Sequence, residues 1–115
     1  MLIYKVLTPP QYEDLQLHGE IPGAPVDIAD GFVHFSTAEQ LAETLAKHFA
    51  GQPDLWLLAL DSEAEDVAAA LEWEPSRGGA LFPHLYAALR LSDVVSEQQI
   101  AAGPDGVHRL PDGLA

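Results

Sequence analysis

Hydrophobic residues along this chain fall into two kinds of spacing. Apolar runs at Leu2–Leu7 and at residues 55–60 are short and predict β-strands; the second is apolar on both faces and is expected in the centre of a sheet. Residues three and four apart predict the buried face of a helix, formed by Ala38, Leu41, Ala42, Leu45 and Phe49. Five or six short strands with two main helices indicate an α+β domain.

Capping signals place one helix directly after the first strand. Thr8 fits the N-cap, Pro9 the first helical position, Gln11 the return partner of a capping box and Gly19 the C-terminal cap. From there to residue 31, prolines and glycines predict a loop, which is either a functional lid or a surface connection. An acidic, alanine-rich segment at 61–71 predicts a short exposed helix.

Residues 30–37 (Asp-Gly-Phe-Val-His-Phe-Ser-Thr) combine a turn, a short strand and the start of a helix. Alternation along the strand sends three side chains to one face, namely Phe32, His34 and Ser36. Val33 and Phe35 point the other way and are expected in the core. A histidine and a hydroxyl group are therefore adjacent where a helix begins, and backbone N–H groups converge at such a place. Ser36 or Thr37 would also suit the N-cap, so a capping and a ligand-binding role for Ser36 both stay open.

A second stretch that contains candidate site residues runs from residue 72 to residue 86. Pro75 and the two glycines at 78 and 79 predict a turn with unusual backbone freedom. In an extended conformation, three of the following side chains share a face, namely Phe82, His84 and Tyr86. Pro83 predicts an edge strand or an irregular one.

If the two stretches meet, the cleft between them holds His34, His84, Tyr86, Arg77 and hydroxyl groups. Such a set suits a polar, hydroxyl-rich or phosphorylated ligand. Trp73 is counted with Ser36 and Arg77 as a ligand-binding residue, although a place in the core or in the wall of the cleft is more common for a tryptophan. For His34 alone, a hydrogen-bonded structural role is as reasonable as a role in the site.

Charge and composition narrow the partners. The 115 residues suit a single domain, 1–115, and five Lys and Arg against 18 Asp and Glu give a net charge of -13. Such a field repels DNA and anionic membranes, so neither is expected as a partner, and any phosphate-bearing ligand would depend on a local cation such as Arg77. With no cysteine, no membrane-length apolar run and no signal-peptide pattern, a cytoplasmic location is expected.

A metal site is a weaker hypothesis. His34 and His84 could share a metal ion with Glu74 or Asp30 as a third ligand. The chain contains no H-x-H, no H-E-x-x-H and no aspartate-rich loop, so the prediction is that no metal is bound. A serine hydrolase is weaker still, because there is no G-x-S-x-G motif.

Two motifs, DGFVHFSTAEQ and WEPSRGGALFPHLY, resemble the bacterial domain of unknown function 952 family. The resemblance runs from the IYKVLTP segment at the start to the turn at Pro104. It implies a fold similar to that of ADP-ribosyltransferases, a split α+β sheet that clasps NAD. Members of that fold use a strand histidine on the nicotinamide ribose, which His34 with Ser36 resembles, and a later aromatic residue that stacks on nicotinamide.

His84 or Tyr86 would take that stacking place, and Arg77 would face the pyrophosphate. The glutamate expected as a third site residue has no clear match, with Glu74 and Glu97 as candidates. The resemblance therefore implies an NAD- or nucleotide-binding cleft, with NAD as a substrate in ADP-ribosyl or N-glycosidic chemistry. The alternative is a non-catalytic binding or regulatory module for a small anionic metabolite.

Overall fold

The structure is a computed structural model that describes residues 1–111, apart from the side chain of Arg77. Within that range the chain is α+β, with eight strands and four α-helices. The strands are β1 (Leu2–Leu7), β2 (Glu20–Ile21), β3 (Val33–His34), β4 (Asp54–Asp61), β5 (Leu71–Pro75), β6 (Leu81–Leu85), β7 (Leu89–Arg90) and β8 (Val94–Ala101). The helices are α1 (Pro9–His18), α2 (Pro25–Asp30), α3 (Leu41–His48) and α4 (Glu65–Ala70).

The described strands form three small sheets in which every pairing is antiparallel. One sheet has the order β1-β4-β8, a second has the order β3-β6-β5, and β2 pairs with β7. The two larger sheets meet at Ser36, because its backbone N–H and C=O both bond to Tyr4 of β1, at 2.9 and 2.8 Å. This junction brings β1 beside the strand that carries His34.

The predicted central strand is confirmed, since β4 lies between β1 and β8 and is buried on both faces. Leu58 and Leu60 pack into one cluster with residues of α1 and the second sheet. Leu57 and Ala59 point to the opposite face and pack against Leu41 of α3. Burial on both faces explains why the sequence of β4 has no polar alternation.

The first helix begins and ends where the capping signals predict. Gln11 Oε1 accepts the Thr8 N–H at 3.0 Å, and the helix starts at Pro9. Gly19 ends it with φ of +77°, a conformation that favours glycine. The short exposed helix predicted at 61–71 is confirmed in part, as α4: it covers only residues 65–70, and Val67 is buried in the core.

The loop predicted from Gly19 to Gly31 is wrong in part, because it contains β2 and α2. Pro25 occupies the first turn of α2, where its missing N–H costs nothing, and Asp27 Oδ2 accepts the Ala24 N–H at 2.7 Å. Proline here starts a helix, whereas the sequence pattern treated it as a breaker.

Three smaller predictions also need correction. Helix α3 begins at Leu41, after a turn in which Thr37 and Gln40 exchange backbone and side-chain hydrogen bonds, and Ala42 is exposed. Strand β6 is central in its sheet and not at an edge, so Pro83 is accommodated between two partners, and its C=O accepts the Phe35 N–H.

In the described residues no helix is long and apolar enough to cross a membrane.

Candidate functional site

The two sequence stretches that carry chemistry do meet. Strand β3 pairs with β6 so that His34 lies directly opposite His84, and their ring centroids are 5.4 Å apart. The ring of Phe32 lies 4.6 Å from His34 and 4.1 Å from His84, stacked on the latter. Val33 and Phe35 point away into the core, as predicted. The alternation of a two-residue strand is thus enough to place both imidazoles on one face.

A cavity of about 570 Å³ opens beside this histidine pair. Its lining includes His34, His84 and Ser36, together with Lys5 of β1 and Ser76 of the turn that precedes β6. The volume falls within the range typical of sites for small molecules and cofactors, about 300–1,000 Å³. The cavity is therefore large enough for a small-molecule ligand.

The side chain of His34 forms a hydrogen bond with a buried carboxylate. Asp27 is 1 % exposed, and its Oδ1 lies 2.6 Å from His34 Nδ1 and 3.0 Å from the His34 backbone nitrogen. Its Oδ2 accepts hydrogen bonds from Lys5 Nζ at 2.8 Å and from the Ala24 N–H at 2.7 Å. On the other side of the ring, His34 Nε2 lies 3.0 Å from Asp30 Oδ2. Asp27 thus joins β1, α2 and β3 through four donors.

The pKa of Asp27 follows from these contacts. Burial by itself would raise the pKa, but the hydrogen bonds from His34 and the charge of Lys5 outweigh it and lower the pKa to about 2. For Lys5, 6 % exposed, burial lowers the pKa against the opposing attraction of Asp27. Asp27 is therefore ionised at neutral pH.

His84 has a carboxylate of its own. Its Nδ1 lies 2.8 Å from Glu74 Oε1, and the hydroxyl of Tyr86 donates to the same oxygen at 2.7 Å. The hydrogen bonds from Tyr86 and His84 lower the pKa of Glu74, and the bond to Glu74 raises the pKa of Tyr86. Both histidines are thus held at Nδ1 by a carboxylate, an arrangement that orients an imidazole for proton transfer through Nε2.

Ser36 lies at the cavity but does not cap a helix. It is buried, and its hydroxyl pairs with that of Thr44 in α3 at 2.8 Å. The hydroxyl therefore ties the end of β3 to α3, and a ligand hydroxyl would have to join or replace this pair.

Other predicted site residues lie further from the cavity. Trp73, 38 % exposed, is opposite Pro83 and faces away from Glu74, so it is not a wall of the cleft. Tyr86 is 48 % exposed and reaches the site through Glu74 and through Phe32, 5.3 Å from its ring. The Arg77 side chain lies outside the described structure, although its neighbour Ser76 lines the cavity. Glu97 belongs to β8 and contacts Gln16 of α1 at 3.4 Å, so of the two candidate glutamates Glu74 is the one beside the histidines.

Lys5 and Asp27 were missed by the sequence reasoning. Lys5 lies within an apolar strand, and Asp27 within a segment predicted to be a loop. One signal was available, because a single lysine in a strand-forming run needs an anionic partner if its face is buried. Across the described part of the chain, no group of three or more His, Asp or Glu side chains is arranged to hold a metal ion.

Comparison with known proteins places this arrangement in a family. The model of the family described as protein of unknown function (DUF952) matches residues 6–97. The chain belongs to the DUF952 family. A solved structure is also similar to the chain. The crystal structure of protein CC0527 from Caulobacter crescentus has 46% sequence identity to it, covers 99% of this chain and 98% of that chain, and has a TM-score of 0.89.

The solution NMR structure of CC0527 is also similar, with 48% identity over 92% of this chain and 90% of that chain and a TM-score of 0.80. No curated protein matches the chain. The DUF952 match contains both histidine–carboxylate pairs, while Lys5 lies just before its first residue. The family description names no activity, so the function has to be argued from the site.

Proposed function

We propose that this DUF952 protein binds NAD or a related nucleotide in the cavity and cleaves the N-glycosidic bond between nicotinamide and ribose. The observation that carries the proposal is the histidine pair, in which His34 and His84 face each other beside the cavity and each meets a carboxylate at Nδ1. Two oriented imidazoles at this separation suit chemistry that moves a proton to or from a bound ligand.

The reaction makes use of the negative charge around the pair. When the bond breaks, nicotinamide leaves with the bonding electrons and C1′ of the ribose becomes an oxocarbenium-like cation. Water or an acceptor hydroxyl then bonds to C1′ and gives its proton to a histidine. The carboxylates of Asp30 and Glu74, next to the two rings, would stabilise the developing positive charge. Tyr86 would stack on the nicotinamide ring, as the resemblance implies, with the ligand extending beyond the cavity lining to reach it.

The phosphates of such a nucleotide require a different part of the site. Lys5 is already paired with Asp27, and Lys47 and Arg90 are paired with Glu43 and Asp93. We assign the pyrophosphate to Arg77, following the motif resemblance to the ADP-ribosyltransferase fold. The two small antiparallel sheets that meet beside the cavity are compatible with that split architecture.

The second candidate is a non-catalytic module for a small anionic metabolite. It is favoured by one observation: Oε1 of Glu74, the candidate for the third site residue, already contacts both His84 and Tyr86. A glutamate held in this way orients its neighbours and does not offer a free carboxylate to an acceptor. The same contacts would serve binding without chemistry.

A thermal-shift titration with NAD, ADP-ribose, nicotinamide and inorganic phosphate, followed by an assay of nicotinamide release, tests the proposal. A ligand at ~100 times its dissociation constant stabilises the folded state by about 2.7 kcal/mol, enough to raise Tm by several degrees. NAD should produce this shift and be hydrolysed. A shift with phosphate alone and no release of nicotinamide would favour the binding module, and silence from all four ligands would contradict both nucleotide binding and catalysis.

Two variants make the test specific. His34→Asn keeps an amide near the position of Nδ1, so the bond to Asp27 can persist while Nε2 is lost; release of nicotinamide should fall with little change in Tm. Arg77→Ala should weaken binding of NAD and ADP-ribose more than that of nicotinamide. His18→Asn, at the exposed end of α1, is the matched control and should leave both readouts unchanged.

A further inference from the structure

Behind His34 lies an ion pair that is almost completely enclosed by protein. The Lys5 and Asp27 side chains are 7% and 0% exposed, and their charged atoms are 2.8 Å apart. An ion pair at this depth costs desolvation energy and is weak evidence for a contribution to stability. Its position directly against the imidazole of a histidine that lines the cavity suggests a different role.

The two carboxylates beside His34 differ in how firmly they are held. Asp27 contacts Nδ1 at 2.6 Å and is fixed by three further donors, from Lys5, Ala24 and the His34 backbone. Asp30 contacts Nε2 at 3.0 Å, and its side chain is 47% exposed. Only one ring nitrogen of a neutral imidazole carries a proton, so the two carboxylates compete for it. The fixed, desolvated acceptor has the advantage over the exposed one, which water can also solvate.

We propose that Lys5 and Asp27 are positioning residues that hold neutral His34 with its proton on Nδ1 and so reserve Nε2 for the ligand. Lys5 keeps Asp27 charged, and Asp27 fixes both the orientation and the tautomer of the ring. In this tautomer Nε2 carries a lone pair, and a donor group of a ligand would take the place of the 3.0 Å contact with Asp30, whose side chain is 47% exposed and can stay beside the ring.

The role of Nε2 toward a ligand rests on the proposed function, whereas the tautomer is a property of the empty protein. The two can therefore fail separately. If the tautomer is as expected but no nucleotide binds, the proposed function is wrong and the positioning role remains. If a nucleotide binds but the tautomer is the opposite one, only the positioning role is overturned.

The test is long-range ¹H–¹⁵N NMR correlation on ligand-free protein labelled with ¹⁵N-histidine, recorded at a pH high enough that the ring signals no longer change. His34→Asn identifies the His34 signals by their loss. In the wild-type protein we expect a pyrrole-like Nδ1 and a pyridine-like Nε2. The opposite pattern in the wild-type protein overturns the proposal directly, whether or not any variant folds.

Two variants separate the carboxylates. In Lys5→Met/Asp27→Ala both buried charges are removed together, Asp30 becomes the carboxylate next to the ring, and the proton should move to Nε2. Asp30→Ala should leave it on Nδ1. His84, held by Glu74, is an internal reference whose signals should not change tautomer in either variant. A folded double variant that keeps the proton on Nδ1 would show that Asp27 does not set the tautomer.

Lys5 has its own readout. Lys5→Met alone should keep the proton of His34 on Nδ1 but raise the pKa of Asp27 from about 2, because the neighbouring positive charge is gone. Carboxyl ¹³C shifts followed from pH 1 to 6 measure this directly. An unchanged pKa of Asp27 would remove Lys5 from the positioning unit, although a merely structural lysine could still affect Tm.

Discussion

The buried pair Lys5–Asp27 gives the sharpest prediction about stability. Replacing Asp27 with Asn leaves the shape of the side chain nearly unchanged but strands the charge of Lys5, whose side chain is 7% exposed. Removing one partner of a buried ion pair typically costs about 3–5 kcal/mol. Lys5→Met should cost less, because Asp27 keeps hydrogen bonds from the Ala24 N–H, the His34 N–H and the His34 ring.

The double variant Lys5→Met/Asp27→Asn removes both charges and should cost less than the two single changes added together. Urea unfolding at pH 7, followed by circular dichroism, gives the free energy of unfolding for the four proteins of this cycle. We expect a coupling energy of about 1 kcal/mol or more. Additive single effects, or a loss below about 1 kcal/mol in Asp27→Asn, would refute the idea that these two charges depend on each other.

The free energy of unfolding of the wild-type protein should also depend on pH, in a direction that is set by the pKa of Asp27. Its pKa is lowered in the folded protein to about 2 from an ordinary value of 3.8. The folded state therefore binds this proton less readily, which contributes roughly 2 kcal/mol of stability above pH 4. That contribution is lost as the pH falls from about 4 through about 2. The difference between the wild-type and Asp27→Asn curves isolates it, and parallel curves over this window would contradict the assignment.

Two further substitutions test the surroundings of the histidines. Gly23→Ala would place a Cβ 2.6 Å from Asp27 Cβ at a φ of +117°, so we expect a lower Tm and altered His34 signals in the NMR spectrum. Glu74→Gln removes the charged acceptor of the Tyr86 hydroxyl, so the raised pKa of Tyr86 should fall toward its ordinary value of 10.0 in an absorbance titration.

Each of these changes has a matched control. Gly31→Ala has a φ of +87° but open space around the added Cβ, so it should cost roughly 1 kcal/mol of backbone strain and leave His34 unchanged. Glu72→Gln alters a weaker electrostatic influence on Tyr86 and should lower its pKa less than Glu74→Gln. Equal effects of Gly23→Ala and Gly31→Ala on His34 would argue against the close contact with Asp27.

The parts of the fold that could be predicted are those that follow from the pattern of residues within one short window of the sequence. Strand β4, helix α1 and the histidine face of β3 each follow from residues within one short window. Helix α2 was not predicted because its six residues are too few to show a periodic apolar face. The residues around its start at Pro25 also have the composition of a loop. Trp73 was misplaced because the face of β5 that turns to the cavity depends on its register with β6.

The site was predictable to the same extent. His34 and His84 belong to motifs that can be recognised locally, but their carboxylates lie seven and ten positions away along the chain, at separations that only folding decides. Asp27 is further coupled to Lys5, 22 positions distant, and no local pattern records such a pair. Sequence spacing therefore identified the imidazoles and missed what orients them.

The charge pattern of the whole chain takes on a different meaning once Lys5 is placed. With a net charge of -13, a phosphate-bearing ligand was expected to depend on a local cation such as Arg77. Lys5 lines the cavity, yet its charge is committed to Asp27 at 2.8 Å, so a phosphate would have to displace a buried carboxylate to use it. Under the proposed function, binding energy would then come from hydrogen bonds at His34 and His84, which line the cavity, and from Arg77. We therefore expect that the proposed nucleotide would be held mainly by the groups that lie next to the two histidines.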